Sequence, residues 1–422
     1  MNIKTVFRAL RHKNYRLFFS GQSISLIGTW MQQIAVSWLV YSMTNSAFLL
    51  GLVGFSSQIA TFLLAPLAGV IADRHHRHRL LLITQSLAML QAFVLYILYV
   101  THAIAVWHII LLSLVLGAIN AFDIPVRQSF TVDMLNDRED LSNAIALNSS
   151  MVNVARLIGP SIGGILIAMF GEGTCFLINA LSYIAVLFSL VMMKLPPWER
   201  SSHQKESVML QFKEGFSYAF NFMPIRTILI LLSVMSLVAG GAQALMPVFA
   251  RDIFHGGSKT RGRLMASSGL GALTGAIFLA GRKNVLGLSR VMAIAATIFG
   301  IAIVIFSRTS LLTIALPILL FMGFGMMVQM ASSNIVLQTI VEEDKRGRVM
   351  SFYTMAFMGL SPFGSLLSGV LAIRIGAGNT LLWGGTICII AAIIFTLQRP
   401  KLRKFIRPLY IQKGILSEPI QS

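Results

Sequence analysis

Three charged side chains stand inside stretches that are otherwise apolar. Asp123 and Arg127 lie four residues apart in "GAINAFDIPVRQSF", with Asn120 on the same face. Arg156 follows in "NSSMVNVARLIGPSIGG", sharing a helical face with Ser149, Asn153 and Pro160. An arginine at the middle of a membrane helix costs about 2.5–3.5 kcal/mol on insertion scales, so it normally faces a cavity or a partner. One reading makes Asp123 a carboxylate that takes up a proton, with Arg127 and Arg156 as gating or substrate-anion partners. The other makes all three a permanent ion network that fixes helix packing, a common use of buried charge. The four-residue spacing allows a direct Asp123–Arg127 pair. If the helices that carry them are antiparallel neighbours, one polar cluster forms from both.

A second constellation is "GVIADRHHRHRLLL", from Gly69. Gly69, Asp73, Arg74, Arg77 and Arg79 fit a Gly-x-x-x-Asp-Arg-x-x-basic-x-basic pattern. The arginines alone would fit a plain cytoplasmic anchor; Asp73 and Gly69 at this spacing would not. The intervening histidines stand among arginines that repel a metal cation, so no metal site is expected.

The elements that must position these groups follow from composition. The chain has 422 residues, of which 56% are hydrophobic and 12% charged. A soluble protein of this length carries about twice that charged fraction. Twelve apolar runs are long enough to cross a bilayer as helices: 14–41, 46–72, 79–101, 105–131, 141–170, 173–194, 225–249, 262–281, 290–308, 310–340, 349–374 and 379–397. Their lack of alternation excludes strands. The first run stays in the mature protein, since no small-residue cleavage site follows it. Cys175 and Cys388 lie in separate apolar runs and read as small hydrophobes.

With the N-terminus inside, 26 of the 34 Lys and Arg fall on the cytoplasmic side and 6 outside. Both termini are therefore expected in the cytoplasm. The charge of +19 is spread over seven short segments, which suits anionic headgroups and not nucleic acid. The expected organisation is a six-helix half over 1–194, a linker over 195–224, a second half over 225–397 and a basic tail over 398–422. The linker holds an amphipathic stretch from Phe212 to Phe222 that would lie on the membrane surface. "RLIGPSIGGIL" in the first half is echoed by "FMGLSPFGSLLSG" in the second, with Pro160 matching Pro362. Two related halves are the pattern of a rocking transporter with its site at their interface.

The "GVIADRHHRHR" loop resembles the signature loop of the major facilitator superfamily. The resemblance implies that it clamps the halves in one conformation, Asp73 meeting a helix N-terminus and Arg74 an acid on a neighbouring helix. Asp133 or Asp137 is the nearest candidate for that acid. His76 stands where the family has glycine and His78 where it has a basic residue. The corresponding loop "LAGRKNVLG" has Gly281 in place of an acid, so the clamp would be one-sided. "GAINAFDIPVRQSFTVDML", "NAIALNSSMVNVARLIGPSIGG" and "RGRVMSFYTMAFMGLSPFGSLLSG" resemble the transmembrane secretion effector branch over Phe7 to Leu397. "GPSIGG" also resembles the antiporter motif of the superfamily. Gly159, Pro160, Gly163 and Gly164 would then form a hinge, against the plainer reading of close helix packing.

Polar positions suggest a central cavity: Gln22, Ser25, Thr29 and Gln32 in the first run, Ser236, Gly240 and Gln243 in the seventh, Asn334 and Gln338 in the tenth. More often than not such a residue merely satisfies a neighbouring helix. There is no phosphate-binding Gly-x-x-x-x-Gly-Lys-Ser/Thr loop, and "GGSKT" at 256–260 is only a partial look-alike. The expected protein is an all-α, twelve-helix secondary transporter of the bacterial inner membrane. It is a monomer without cofactor and is not an enzyme. It would export an amphipathic small molecule, a siderophore or drug, against a proton gradient; direction and coupling come from the resemblance. Inward transport of a siderophore or nutrient is the first alternative. A lipid scramblase or lipid enzyme is the second.

Overall fold

The computed structural model describes residues 7–412 apart from 75, 136, 138–139, 195–216, 283–284 and 343–344, and the backbone alone at 65–74, 142, 346–348 and 412. Among the described residues every regular element is a helix. After a short 3₁₀ turn, Arg8–Arg11, come α1 (Lys13–Thr44), α2 (Ala47–Arg74), α3 (Arg77–Val100), α4 (Val106–Asp133), α5 (Leu141–Phe170) and α6 (Glu172–Val191). Then follow α7 (Met223–Val248), α8 (Ser258–Ala280), α9 (Leu288–Arg308) and α10 (Leu312–Ile340). The last are α11 (Arg346–Thr354), α12 (Ser361–Ile375) and α13 (Ala377–Gln412). A π turn, Phe249–Ile253, closes α7, and another, Met355–Gly359, joins α11 to α12.

Among the described residues eleven helical spans are long and apolar enough to cross a membrane. The 32-residue α1 is not among them, because Gln22, Ser23, Ser25, Thr29, Gln32 and Gln33 lower its hydropathy. Large apolar side chains stand in the open all along the helices, Val191 at 70% and Leu397 at 74% exposure among them. A water-soluble surface does not tolerate so continuous an apolar face, whereas lipid requires it. This is a multi-pass membrane protein. Single glycines with positive φ, Gly171 at 80° and Gly376 at 80°, make the tight junctions from α5 to α6 and from α12 to α13.

The contacts divide the chain into two units. The first comprises 1–203 together with 244–269, and the second 204–243 together with 270–422. In the first, α1 packs along α5 and α6, α2 along α4, and α3 against α4 and α6. Tyr15, Phe18, Leu81, Val126 and Phe130 are the centre of one buried cluster there. In the second, α9 packs between α10 and α13.

Two element boundaries differ from those expected. α8 begins at Ser258, four residues before the apolar run, and so takes in Arg261. α13 continues to Gln412, well past 397. Leu402, Ile406 and Tyr410, four residues apart, are all buried and carry the helix through the basic stretch as an amphipathic segment. Of the amphipathic stretch 212–222, only 217–222 falls within the described residues, and 217–221 is helical.

Candidate functional site

Asp123 is 4% exposed at the middle of α4. Its Oδ1 accepts the Thr84 hydroxyl at 2.9 Å and the Gln85 amide at 2.7 Å, both from α3. Its Oδ2 lies 3.5 Å from Arg127 Nη2, one turn along the same helix. These three groups suit an ionised carboxylate: two neutral donors hold one oxygen and a guanidinium faces the other. The expected Asp123–Arg127 pair forms. Thr84 and Gln85 were not legible as its partners, although they are polar breaks in the apolar run "RLLLITQSLAML". Asn120 is half-buried on the same helix.

Arg156 forms no ion pair with Asp123 among the described residues, and its contact is with α1 instead. α5 packs along α1, and the Arg156 guanidinium stands 5.1 Å from the centre of the Trp30 ring. The Arg156 Nε is buried without a hydrogen-bond partner. Asn153 donates to the Ser149 carbonyl of its own helix at 2.9 Å.

The glycines after Arg156 lie where neighbouring helices come close. A β-carbon on Gly159 would stand 2.6 Å from Trp30 Cβ, and one on Gly163 would stand 3.2 Å from Met31 Cα. One on Gly164 would stand 2.7 Å from the Ser258 carbonyl oxygen. Pro160 lies within an unbroken α5. The start of α8 is tied down here as well: Ser258 Oγ donates to the Gly164 carbonyl at 3.0 Å, and Arg261 Nη1 donates to the Ile34 carbonyl of α1. Arg261 is 2% exposed and its Nε has no hydrogen-bond partner. Nearby in sequence, Tyr41 donates its hydroxyl to Asp252, and Arg251 donates to Asn45 Oδ1 at 2.7 Å.

The side chains of Gly69, Asp73 and Arg74 lie outside the described residues. Arg77 takes Asp133 at 3.1 Å, and Arg11 takes Asp137 at 3.1 Å, so both acids considered for Arg74 have other partners. Arg79 is exposed. His78 Nε2 lies 2.8 Å from the Leu190 carbonyl near the end of α6, as its donor. The sequence reading missed Asp140, which is fully buried. Its carboxylate meets Arg8, Arg11 at 2.8 Å and His12 at 2.8 Å. Burial alone would raise the Asp140 carboxyl, but the His12 hydrogen bond and the Arg11 and Arg8 charges outweigh it and hold it below its ordinary range.

Gln32 is 3% exposed; its amide donates to Gln91 at 3.0 Å and accepts from Asn179 at 2.8 Å, tying α1 to α3 and α6. Gln22 is 3% exposed, and its Oε1 has no hydrogen-bond partner. Gln243 is exposed, and Gln338 donates to Asn334 at 2.5 Å.

A family model described as transmembrane secretion effector matches residues 4–407. The staphyloferrin A transporter of Staphylococcus aureus is 29% identical over 400 residues, covering 92% of this chain and 97% of that protein. Macrolide efflux protein A of Streptococcus pyogenes is 23% identical, covering 91% and 96%. The enterobactin exporter EntS of Citrobacter koseri is 22% identical, covering 96% of each. Among solved structures, a bacterial homolog of the human lysosomal transporter Spinster, inward-facing and unoccupied, has a TM-score of 0.69 at 14% identity, covering 93% of this chain and 97% of that one. The nucleoside transporter NupG has a TM-score of 0.70 at 14% identity, covering 91% and 99%.

Proposed function

This chain belongs to the transmembrane secretion effector family, and from that premise we propose that it exports an amphipathic small molecule, a siderophore or a drug, in exchange for protons. The observation that carries the coupling is Asp123: a carboxylate buried in a membrane helix, held by Thr84 and Gln85 and paired with Arg127. Such a group is retained in a membrane at a cost, and proton relays are a recurrent use of it. Protonation of Oδ2 would release Arg127, and Arg127 returning would expel the proton. The siderophore and drug classes come from the relatives, whose names speak of staphyloferrin A, enterobactin and macrolides.

The reading includes twelve spans, with α1 as the first. Its 32 residues make about 48 Å of helix, long enough to cross despite the polar positions. With both termini in the cytoplasm of a bacterial inner membrane, the Lys and Arg excess faces the anionic inner leaflet. The protein works as a monomer and performs no covalent chemistry.

Proteoliposomes under an imposed pH gradient test this. Wild type should move siderophore or dye cargo in the direction set by the gradient, and Asp123→Asn should lose gradient-driven movement while still folding. Unchanged transport by Asp123→Asn would remove Asp123 from the mechanism. Accumulation opposite to export would favour inward transport. Gradient-independent movement of a fluorescent lipid would favour a scramblase.

A further inference from the structure

Two guanidinium groups in the first unit, that of the buried Arg261 and that of the half-buried Arg156, have no carboxylate partner among the described residues. Arg156 of α5 rests on the face of Trp30, and Arg261 of α8 donates to the main-chain carbonyl of Ile34. Each has a buried Nε without a hydrogen-bond partner. Trp30 and Ile34 are four residues apart on α1, one turn or about 6 Å of rise. The helices that bear the arginines are in backbone contact: a β-carbon on Gly262 would stand 2.7 Å from the Pro160 carbonyl oxygen, and one on Gly269 would stand 3.5 Å from the Arg156 carbonyl oxygen. Thus α5 and α8 bring two positive charges to adjacent turns of α1.

Both present partners are neutral and replaceable. A ring face and a carbonyl leave most of the five N–H donors of each guanidinium unused, and a carboxylate would engage them with charge-assisted, bidentate bonds of about twice the strength. Nothing in packing alone requires a cation at either place; leucine or methionine would fill the space without the cost of burying a charge.

We propose that Arg156 and Arg261 form a two-point site for a small organic polyanion, with acidic groups spaced to reach two adjacent turns of α1. Trp30 supplies an apolar wall beside it. The proposal rests on the transporter reading and names its cargo class: an acid carrying several carboxylates rather than a lipophilic cation. In the structure described here Arg261 holds α8 to α1; cargo would take the place of the Ile34 carbonyl, so binding loosens that tie.

The test is binding of citrate, as a probe polycarboxylate, to the purified full chain in detergent, by calorimetry and by ligand-dependent thermal shift. Wild type should bind citrate saturably and ignore its neutral trimethyl ester. Arg156→Gln and Arg261→Gln should each weaken binding about tenfold or more, the loss of a charge-assisted contact. Arg156→Lys and Arg261→Lys, which keep the charge and guard against a folding defect, should lose less. Citrate binding that is equal in wild type and the double glutamine variant overturns the proposal. So does a wild type that takes tetraphenylphosphonium but not citrate. Inorganic phosphate that competes with citrate would support the oxyanion site and extend it to phosphate-bearing cargo. Phosphatidylglycerol that displaces citrate would assign the site to a lipid headgroup and overturn the cargo assignment. Failure of wild type to move any cargo under a gradient would sink the coupled-transport reading instead, and leaves the binding result legible by itself.

Discussion

Pro160 and Pro362 occupy matching places in the two related stretches of sequence, yet the chain accommodates them differently. Pro160 stands inside an unbroken α5, where its missing N–H leaves the Arg156 carbonyl without its usual helical donor. Pro362 lies in the first turn of α12, after the Met355–Gly359 π turn, at a position whose N–H no helix needs. Both stretches keep glycines where a neighbouring backbone comes close: Gly159 and Gly163 on α1 in the first, Gly364 on the Leu237 carbonyl in the second. Charge is not duplicated. α4 and α5 carry Asp123, Arg127 and Arg156, whereas the buried polar residues of α10 are the neutral Gln329, Ser332 and Ser333. Close packing is common to the two units, whereas among the described residues the buried charged side chains belong to the first.

The largest effects should come from the packing that the two stretches share. Gly364→Ala sets a methyl against the Leu237 main-chain carbonyl, which cannot rotate away. It should cost at or above the upper end of about 1–3 kcal/mol for overpacking. Gly163→Ala faces Met31 at 3.2 Å, and the intrinsic helix gain of alanine, about 0.5–1 kcal/mol, offsets the strain. Unfolding in detergent should therefore rank Gly364→Ala far below Gly163→Ala. The reverse order would mean that the second unit has slack where the first has none.

Next comes the buried charge, which among the described residues only the first unit holds. Asp123→Leu leaves Thr84 and Gln85 without their acceptor and Arg127 without its counter-ion. Removing one partner of a fully buried pair costs about 3–5 kcal/mol; with Arg127 partly exposed, about 1–3 kcal/mol is expected. Gln329→Leu in α10 strands no charge and should cost less. Equal losses in thermal unfolding would show that neutral polar groups carry as much of the fold as the ion pair does.

Much of this was legible before any coordinates, and the failures have a common cause. Apolar runs mark their helices because lipid leaves the backbone no other partner. The Asp123–Arg127 pair follows from four-residue spacing within one helix. Thr84 and Gln85 meet Asp123 from another helix, and no spacing announces that. Arg261 sits in "GGSKTRGRL", which reads as a loop; its burial depends on a carbonyl of α1, more than two hundred residues away in sequence. The extension of α13 was visible as Leu402, Ile406 and Tyr410, but the density of Lys and Arg around them resembles a tail.

A smaller effect is expected from the tie between Tyr41 and Asp252. Tyr41→Phe removes one hydrogen bond at the end of α1, a net loss of about 0.5–1.5 kcal/mol. Hydrogen exchange should rise at 41–45 and 249–254 and stay unchanged around Asp123. A rise that spreads to α3 would show that the two ends of the first unit are coupled.

The smallest effect compares the charged loops that precede the two proline stretches. In the first, Asp140 is fully buried among Arg8, Arg11 and His12; in the second, Lys345 and Glu342 form a 2.6 Å pair that is largely exposed. Asp140 has its carboxyl lowered by those partners, so its contribution is present above the ordinary carboxylate range of about 4 and is lost as pH falls through its folded value. At neutral pH the 3₁₀ turn over Arg8–Arg11 should resist proteolysis in wild type and yield in Asp140→Asn. On acidification below about pH 4, wild type should approach the variant. Glu342→Gln should not alter protection of that turn at any pH, since an exposed pair is worth little. A wild type whose N-terminal turn is equally open at neutral and acid pH would mean that the ion cluster does not hold it, and the contrast between the loops would reduce to burial alone.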